Sequence, residues 1–208
     1  MKKVSITKEQ INELPVVDFR GDIYVVDKFS QVRPAVERLR RFSLIGFDTE
    51  TRPSFRAGVR HKVALIQLAT PLECFLFRVC RLGMPALLRE FLEDESVTKV
   101  GLSVHDDFNQ MRRMEAEMEP KGFVDIQSVV SEYEINDLSL QKIYAILFGR
   151  RISKSQQLTN WEAPELTEAQ QRYAAIDAWA CIDIYNYLSH GLFHPSLSAY
   201  YHETEPPQ

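Results

Sequence analysis

The sequence predicts an α/β fold, a five- to six-stranded mixed sheet flanked by helices. Three observations lead there. Short apolar runs that read as strands alternate with segments of helical periodicity. Two of the runs, residues 63–69 and 74–79, are separated only by Thr70-Pro71-Leu72-Glu73, which suits an antiparallel hairpin inside an otherwise crossover-linked sheet. A length of 208 residues with 45% hydrophobic content supports one domain with a sizeable core.

In chain order, residues 1–21 read as a loosely attached lead-in to a domain over 22–192, with a disordered tail over 193–208. Ile23-Tyr24-Val25-Val26 is a short strand. Ser30 is a candidate N-cap for a helix over 31–41, with Pro34 in its first turn and Val36, Leu39 and Phe42 on its apolar stripe. Residues 44–50 form a buried strand that Pro53 stops, and 52–62 is a basic loop. After the hairpin come a helix over 84–92, a strand over 98–103, a helix over 107–117 and a strand over 122–126. A helix over 138–148 is stopped by Gly149. Residues 150–165 are irregular. Thr167 and Gln170 form a capping-box pair for the longest helix, which ends near His190 and Gly191.

The composition excludes several classes. The three cysteines have no C-x-x-C spacing, which argues against a zinc site or a disulfide framework. The N-terminus turns polar at once, unlike a signal peptide, and no apolar run approaches the ~18 residues of a membrane span. A cytoplasmic protein without membrane contact is the expectation. The net charge of −4 does not favour nucleic acid, but its distribution is uneven. Residues 52–62 carry Arg52, Arg56, Arg60, His61 and Lys62 with no acid; Arg112-Arg113 and Arg150-Arg151 with Lys154 are smaller clusters. Taken singly, each basic cluster reads better as a solvated face.

The chemistry begins at Asp48-Thr49-Glu50. On a strand, residues i and i+2 share a face, so Asp48 and Glu50 project together while Phe47 points the other way. Paired carboxylates repel and are costly to desolvate, and a hard divalent cation relieves both. Alone, such a pair reads first as two solvated acids at a strand end, and the rest of the chain changes that reading. On the last helix, Tyr173, Asp177, Ala180, Ile184 and Leu188 fall on one face, which places Asp177 in a core stripe where it needs a cation or hydrogen-bond donors. A salt bridge to an arginine and core packing are the ordinary alternatives for Asp177 and Tyr173. Asp183 lies off the stripe, as a solvated acid. Asp107 sits where a strand turns into a helix, a place that also suits N-capping, and Asp106 competes for either role.

Together, Asp48-Thr49-Glu50, Asp107 after Val100-Gly101, and Tyr173-Ala174-Ala175-Ile176-Asp177 resemble the three motifs of the DEDDy 3′–5′ exonuclease superfamily. The likeness is to its Werner-type and ribonuclease D branch, where Gln67 in Leu65-Ile66-Gln67-Leu68-Ala69, Ser139-Leu140, Asn160-Trp161 and Leu166-Thr167 recur at similar spacing. The resemblance covers residues 22–190. It implies an RNase H-like fold, two Mg²⁺ or Mn²⁺ ions, and removal of nucleotides from the 3′ end of DNA or RNA. By the same resemblance Asp48, Glu50, Asp107 and Asp177 hold the metal and Tyr173 orients the attacking water. The spacing from Gly101 selects Asp107 over Asp106. Candidate substrate contacts are Thr49, Arg52, Arg56, Arg60, Phe108 and Trp161, with the 52–62 segment along the phosphate path. No helicase region and no C-terminal helical domains like those of ribonuclease D are read, so a stand-alone exonuclease is expected. The alternative, a non-catalytic nucleic-acid-binding module on this fold, is disfavoured because all four acids and the tyrosine are present.

Overall fold

The protein is described from a computed structural model, over residues 3–55, 58 and 61–203. Its elements are α1 (Lys8–Glu13), β1 (Asp22–Val26), α2 (Phe29–Leu39), β2 (Leu44–Thr51), β3 (Val63–Ala69), β4 (Glu73–Phe77), α3 (Val79–Leu82), α4 (Ala86–Leu92), β5 (Thr98–Gly101), α5 (Val104–Met111), β6 (Phe123–Asp125), α6 (Ile126–Ser131), α7 (Leu140–Phe148) and α8 (Glu168–Ser189). The six strands form one mixed sheet in the order β1-β4-β3-β2-β5-β6. β3 runs antiparallel to both neighbours, and the remaining pairings are parallel. The mixed sheet predicted from the alternation is therefore present; the predicted hairpin is β3–β4, and the antiparallel pairing of β2 with β3 was not foreseen.

Helices cover both faces. Leu65, Ala69, Leu76 and Val100 pack beneath α8 and α7, while Ile45, Phe47, Ile66, Leu68 and Phe77 pack beneath α2, α4 and α5. Covering on both sides explains why β3 is apolar at every position but Gln67, with every residue from Val63 to Ala69 buried. α8 lies against the middle of the sheet. Its predicted capping box is formed, with the Thr167 hydroxyl accepting from the Gln170 N–H at 3.2 Å and the Gln170 side chain accepting from the Thr167 N–H at 3.0 Å.

Several expectations are corrected. The lead-in is not loosely attached: Val4, Ile6, Ile11, Val17 and Phe19 are buried in the core beneath α8. A second capping box, Thr7 with Gln10, starts α1 there. The described part of the tail, residues 193–203, packs on the domain: Phe193, Tyr200 and Tyr201 supply apolar surface and the Tyr201 backbone bridges to Val4. α2 starts at Phe29, not after Ser30. The Gln31 carboxamide oxygen accepts the backbone N–H groups of Asp27 and Lys28 at 3.0 and 2.9 Å, which moves the cap upstream and puts Pro34 in the second turn. Residues 79–82 leave the sheet as α3, and α6 was not foreseen. Among the described residues, no helix is long and apolar enough to cross a membrane.

Candidate metal centre

Asp48 and Glu50 leave β2 on the face that α8 covers. The helix comes close because Gly46, two residues before Asp48 on the same face, has no side chain. A Cβ there would lie 2.0 Å from the Ala178 carbonyl oxygen and 3.0 Å from Cγ1 of Ile182. Ala174, Ala175 and Ala178 keep the facing surface of α8 equally small. This approach brings Asp177 onto the strand acids, and one carboxylate oxygen from each of Asp48, Glu50 and Asp177 lies within 4.8 Å of the others.

The electrostatics of this group are unfavourable without a counter-charge. Burial, and then the neighbouring Asp177, hold the Asp48 carboxyl well above its ordinary range. Glu50 is pushed up to about 10 by burial and by Asp48, Asp177 and Asp107. Burial raises Asp177 to about 7, while the Tyr173 hydroxyl and the Lys154 charge pull the other way. Three converging oxygens that resist ionisation together suit a hard divalent cation, which takes oxygen ligands and stabilises their charged form. Tyr173, one turn before Asp177, donates its hydroxyl to that carboxylate; burial and the surrounding acids raise its pKa, so it stays a phenol.

Asp107 reaches the site differently. β5 turns into α5 through Ser103, a non-glycine residue at φ 57°. The Asp125 carboxylate holds this turn by accepting the N–H groups of Ser103 and Val104, both at 3.1 Å, and that of Gln127 at 2.9 Å. Asp107 is the fourth residue of α5, so it does not cap the helix; it is buried, whereas Asp106 is exposed. Its carboxylate accepts the Thr49 hydroxyl, and burial followed by Asp48 raises it to about 8. Among the described residues, the oxygens close enough to share one ion come from Asp48, Glu50 and Asp177; Asp107 is outside that group, but its charge acts on Glu50 and the charge of Asp48 acts on it.

Asp48, Glu50, Asp177, Thr49 and Tyr173 line a cleft of about 270 Å³ together with Leu140, Ile152, Lys154 and Gln157. Lys154 is a site residue that the sequence reading left among solvated charges. Its neighbours in that basic cluster do other work: the Arg151 guanidinium donates to the Leu14 carbonyl at 3.0 Å. Asp183, expected in solvent, is half-buried and accepts the Tyr144 hydroxyl at 3.3 Å.

Two candidate substrate contacts are corrected. Trp161 is 0% exposed and packs its ring 6.0 Å from that of Tyr173, so it supports the site from beneath and offers no face to a base. Phe108 is buried and sits edge-on to Phe123 with ring centroids 4.8 Å apart, because α5 turns this face toward the core. Arg52 pairs with Glu162 at 3.3 Å, and His61 lies 3.8 Å from the same carboxylate. Arg56 and Arg60 lie outside the described residues.

Comparison with known proteins agrees with the geometry. The 3′–5′ exonuclease domain family matches residues 23–192. The mouse bifunctional 3′–5′ exonuclease/ATP-dependent helicase WRN is 30% identical over 199 residues, covering 90% of this chain, although the chain spans only 14% of that protein. A 3′–5′ exonuclease from Arabidopsis thaliana is 31% identical over 213 residues, covering 90% of this chain and 70% of its own length. The Nibbler EXO domain of Aedes aegypti superposes with a TM-score of 0.76 at 23% identity, covering 87% of this chain and 96% of that one, and shares the fold. With its sheet order, its acid cluster and this match over most of its length, the chain belongs to the 3′–5′ exonuclease domain family.

Proposed function

We propose that the protein hydrolyses phosphodiester bonds from the 3′ end of single-stranded DNA or RNA, using two divalent ions, Mg²⁺ or Mn²⁺. The observation that carries this reading is the convergence of Asp48, Glu50 and Asp177 from a strand and a helix onto one point. Those three carboxylates would hold one ion, and Asp107 with Asp48 the second. Bound there, the ions supply a Lewis acid for the phosphoryl group and charge neutralisation for the departing oxygen.

The chain's own groups do the rest. The Tyr173 hydroxyl remains protonated, so it can position a water by hydrogen bonding but is no base. Its link to Asp177 fixes where that hydroxyl points. Lys154 lines the same cleft as the acids, where a phosphate can pair with it. Trp161 behind the Tyr173 ring keeps the phenol from swinging away.

The test is digestion of 3′-labelled and 5′-labelled DNA and RNA oligonucleotides in Mg²⁺, Mn²⁺ or EDTA. Stepwise shortening from the 3′ end with either metal and none in EDTA is expected. In the same assay Tyr173→Phe should fold and bind metal normally but cleave about 10²-fold more slowly, the lower range for a positioned proton-handling group. Undiminished cleavage in excess EDTA would remove the metal from the reaction.

A further inference from the structure

The carboxamide of Gln67 has no role in the site as described. Gln67 lies on β3 directly across from Asp48 on β2. Directly opposed residues put their side chains on the same face, with Cβ atoms about 4.5–5.5 Å apart. That face is the one under α8: Leu65 and Ala69, two residues to either side of Gln67, belong to the same core cluster as Ala174 and Ala178. Gln67 is 0% exposed, and neither its Nε2 nor its Oε1 has a hydrogen-bond partner among the described residues.

An amide in that state is costly, and a leucine or methionine would fill the same space without the cost. The neighbouring Asp48 has the complementary need. It accepts the Thr49 backbone N–H, and a charged carboxylate with one oxygen on a cation still has acceptor capacity to satisfy. Donors beside metal ligands serve this purpose by fixing the orientation of the ligand.

We propose that Gln67 is a positioning residue for Asp48, its Nε2–H donating to the Asp48 carboxylate when that carboxylate holds a divalent ion. This rests on the metal reading of the acid cluster. The buried, unpartnered amide is then a group prepared for the loaded state, and it stabilises the protein only when the ion is bound.

The experiment is calorimetric Mn²⁺ titration of the full chain, with urea unfolding in EDTA, for the wild type, Gln67→Met, Gln67→Leu, Gln67→Asn and Asp48→Asn. The wild type should bind Mn²⁺ and Asp48→Asn should lose that binding. Gln67→Met and Gln67→Leu should keep a metal-free urea midpoint at or above that of the wild type. Their Mn²⁺ affinity should fall about 10–100-fold, and Gln67→Asn, which retains an amide, should recover part of it. Wild-type affinity in Gln67→Met or Gln67→Leu would overturn the proposal, whether or not the midpoint drops. Failure of all three Gln67 variants to fold would overturn it too, by making the amide a requirement of the fold. A wild type that takes up no Mn²⁺ would instead remove the metal reading itself.

Discussion

Asp177 and Asp107 are both buried acids on helices, yet they come to the centre by unlike means. Asp177 arrives through two regular elements pressed together: the period of β2 aims Asp48 and Glu50, the period of α8 aims Asp177, and Gly46 lets the two backbones approach. Asp107 arrives through an irregular turn, with Ser103 in the left-handed region and Asp125 holding three backbone N–H groups in place. The first arrangement is as rigid as the core that carries it. The second depends on a polar network, in which every acceptor matters.

The largest effect should separate the two acids directly. Asp177→Asn removes the charge from one of three converging oxygens, so calorimetry should lose the first Mn²⁺ binding event. Cleavage should fall about 10³-fold, equivalent to about 4 kcal/mol of transition-state stabilisation. Asp107→Asn should also impair cleavage but keep that first binding event, because Asp48, Glu50 and Asp177 converge without it. Equal loss of metal uptake in both variants would erase the distinction.

Next in size is Gly46→Ala. The added methyl has to push α8 away from β2 against backbone, which does not yield as a side chain does. A loss of about 3 kcal/mol in urea unfolding is expected, with weakened metal affinity as Asp177 withdraws. Wild-type affinity in this variant would mean that the close approach does not set the carboxylate spacing.

Asp125→Ala tests the other route. It leaves the N–H groups of Ser103, Val104 and Gln127 without their acceptor and should cost about 2 kcal/mol. Cleavage should fall through Asp107 while the first Mn²⁺ event persists. Retained cleavage would show that the turn holds Asp107 without this carboxylate.

A further test of the comparison is pH dependence. Burial raises the Asp177 and Asp107 carboxyls to about 7 and about 8, above the ~4 of an unfolded chain. A raised acid binds more protons folded than unfolded, so its stabilising contribution is complete below about pH 4 and is lost as pH rises through the folded values. In EDTA the urea midpoint should drop as pH rises between about pH 4 and 8. Mg²⁺ should remove the drop, because the ion stabilises the charged carboxylates. A metal-free midpoint that rises over this range would contradict the crowding of the acids.

The comparison also explains what could be read in advance. Periodicity along a single element is a local property of the chain. It was enough to place Asp48 and Glu50 on one strand face, to put Tyr173 and Asp177 on one helix stripe, and to start α8 at Thr167 through Gln170. The mixed sheet with its one hairpin followed from the same kind of pattern. The sequence determined which groups could meet, because alternation and helical pitch bind each side chain to a direction. Only the tertiary structure decided how close they come and what surrounds them. Gly46 is an unremarked residue until Ala178 lies over it, Asp125 is one acid among many until the turn at Ser103 closes on it, and Lys154 is a surface charge until it lines the same cleft as the acids. Gln67 and Trp161 took their meaning from burial, Gln67 beneath α8 and Trp161 against the Tyr173 ring. Proximity across separate elements depends on how whole faces pack, and no local spacing encodes it.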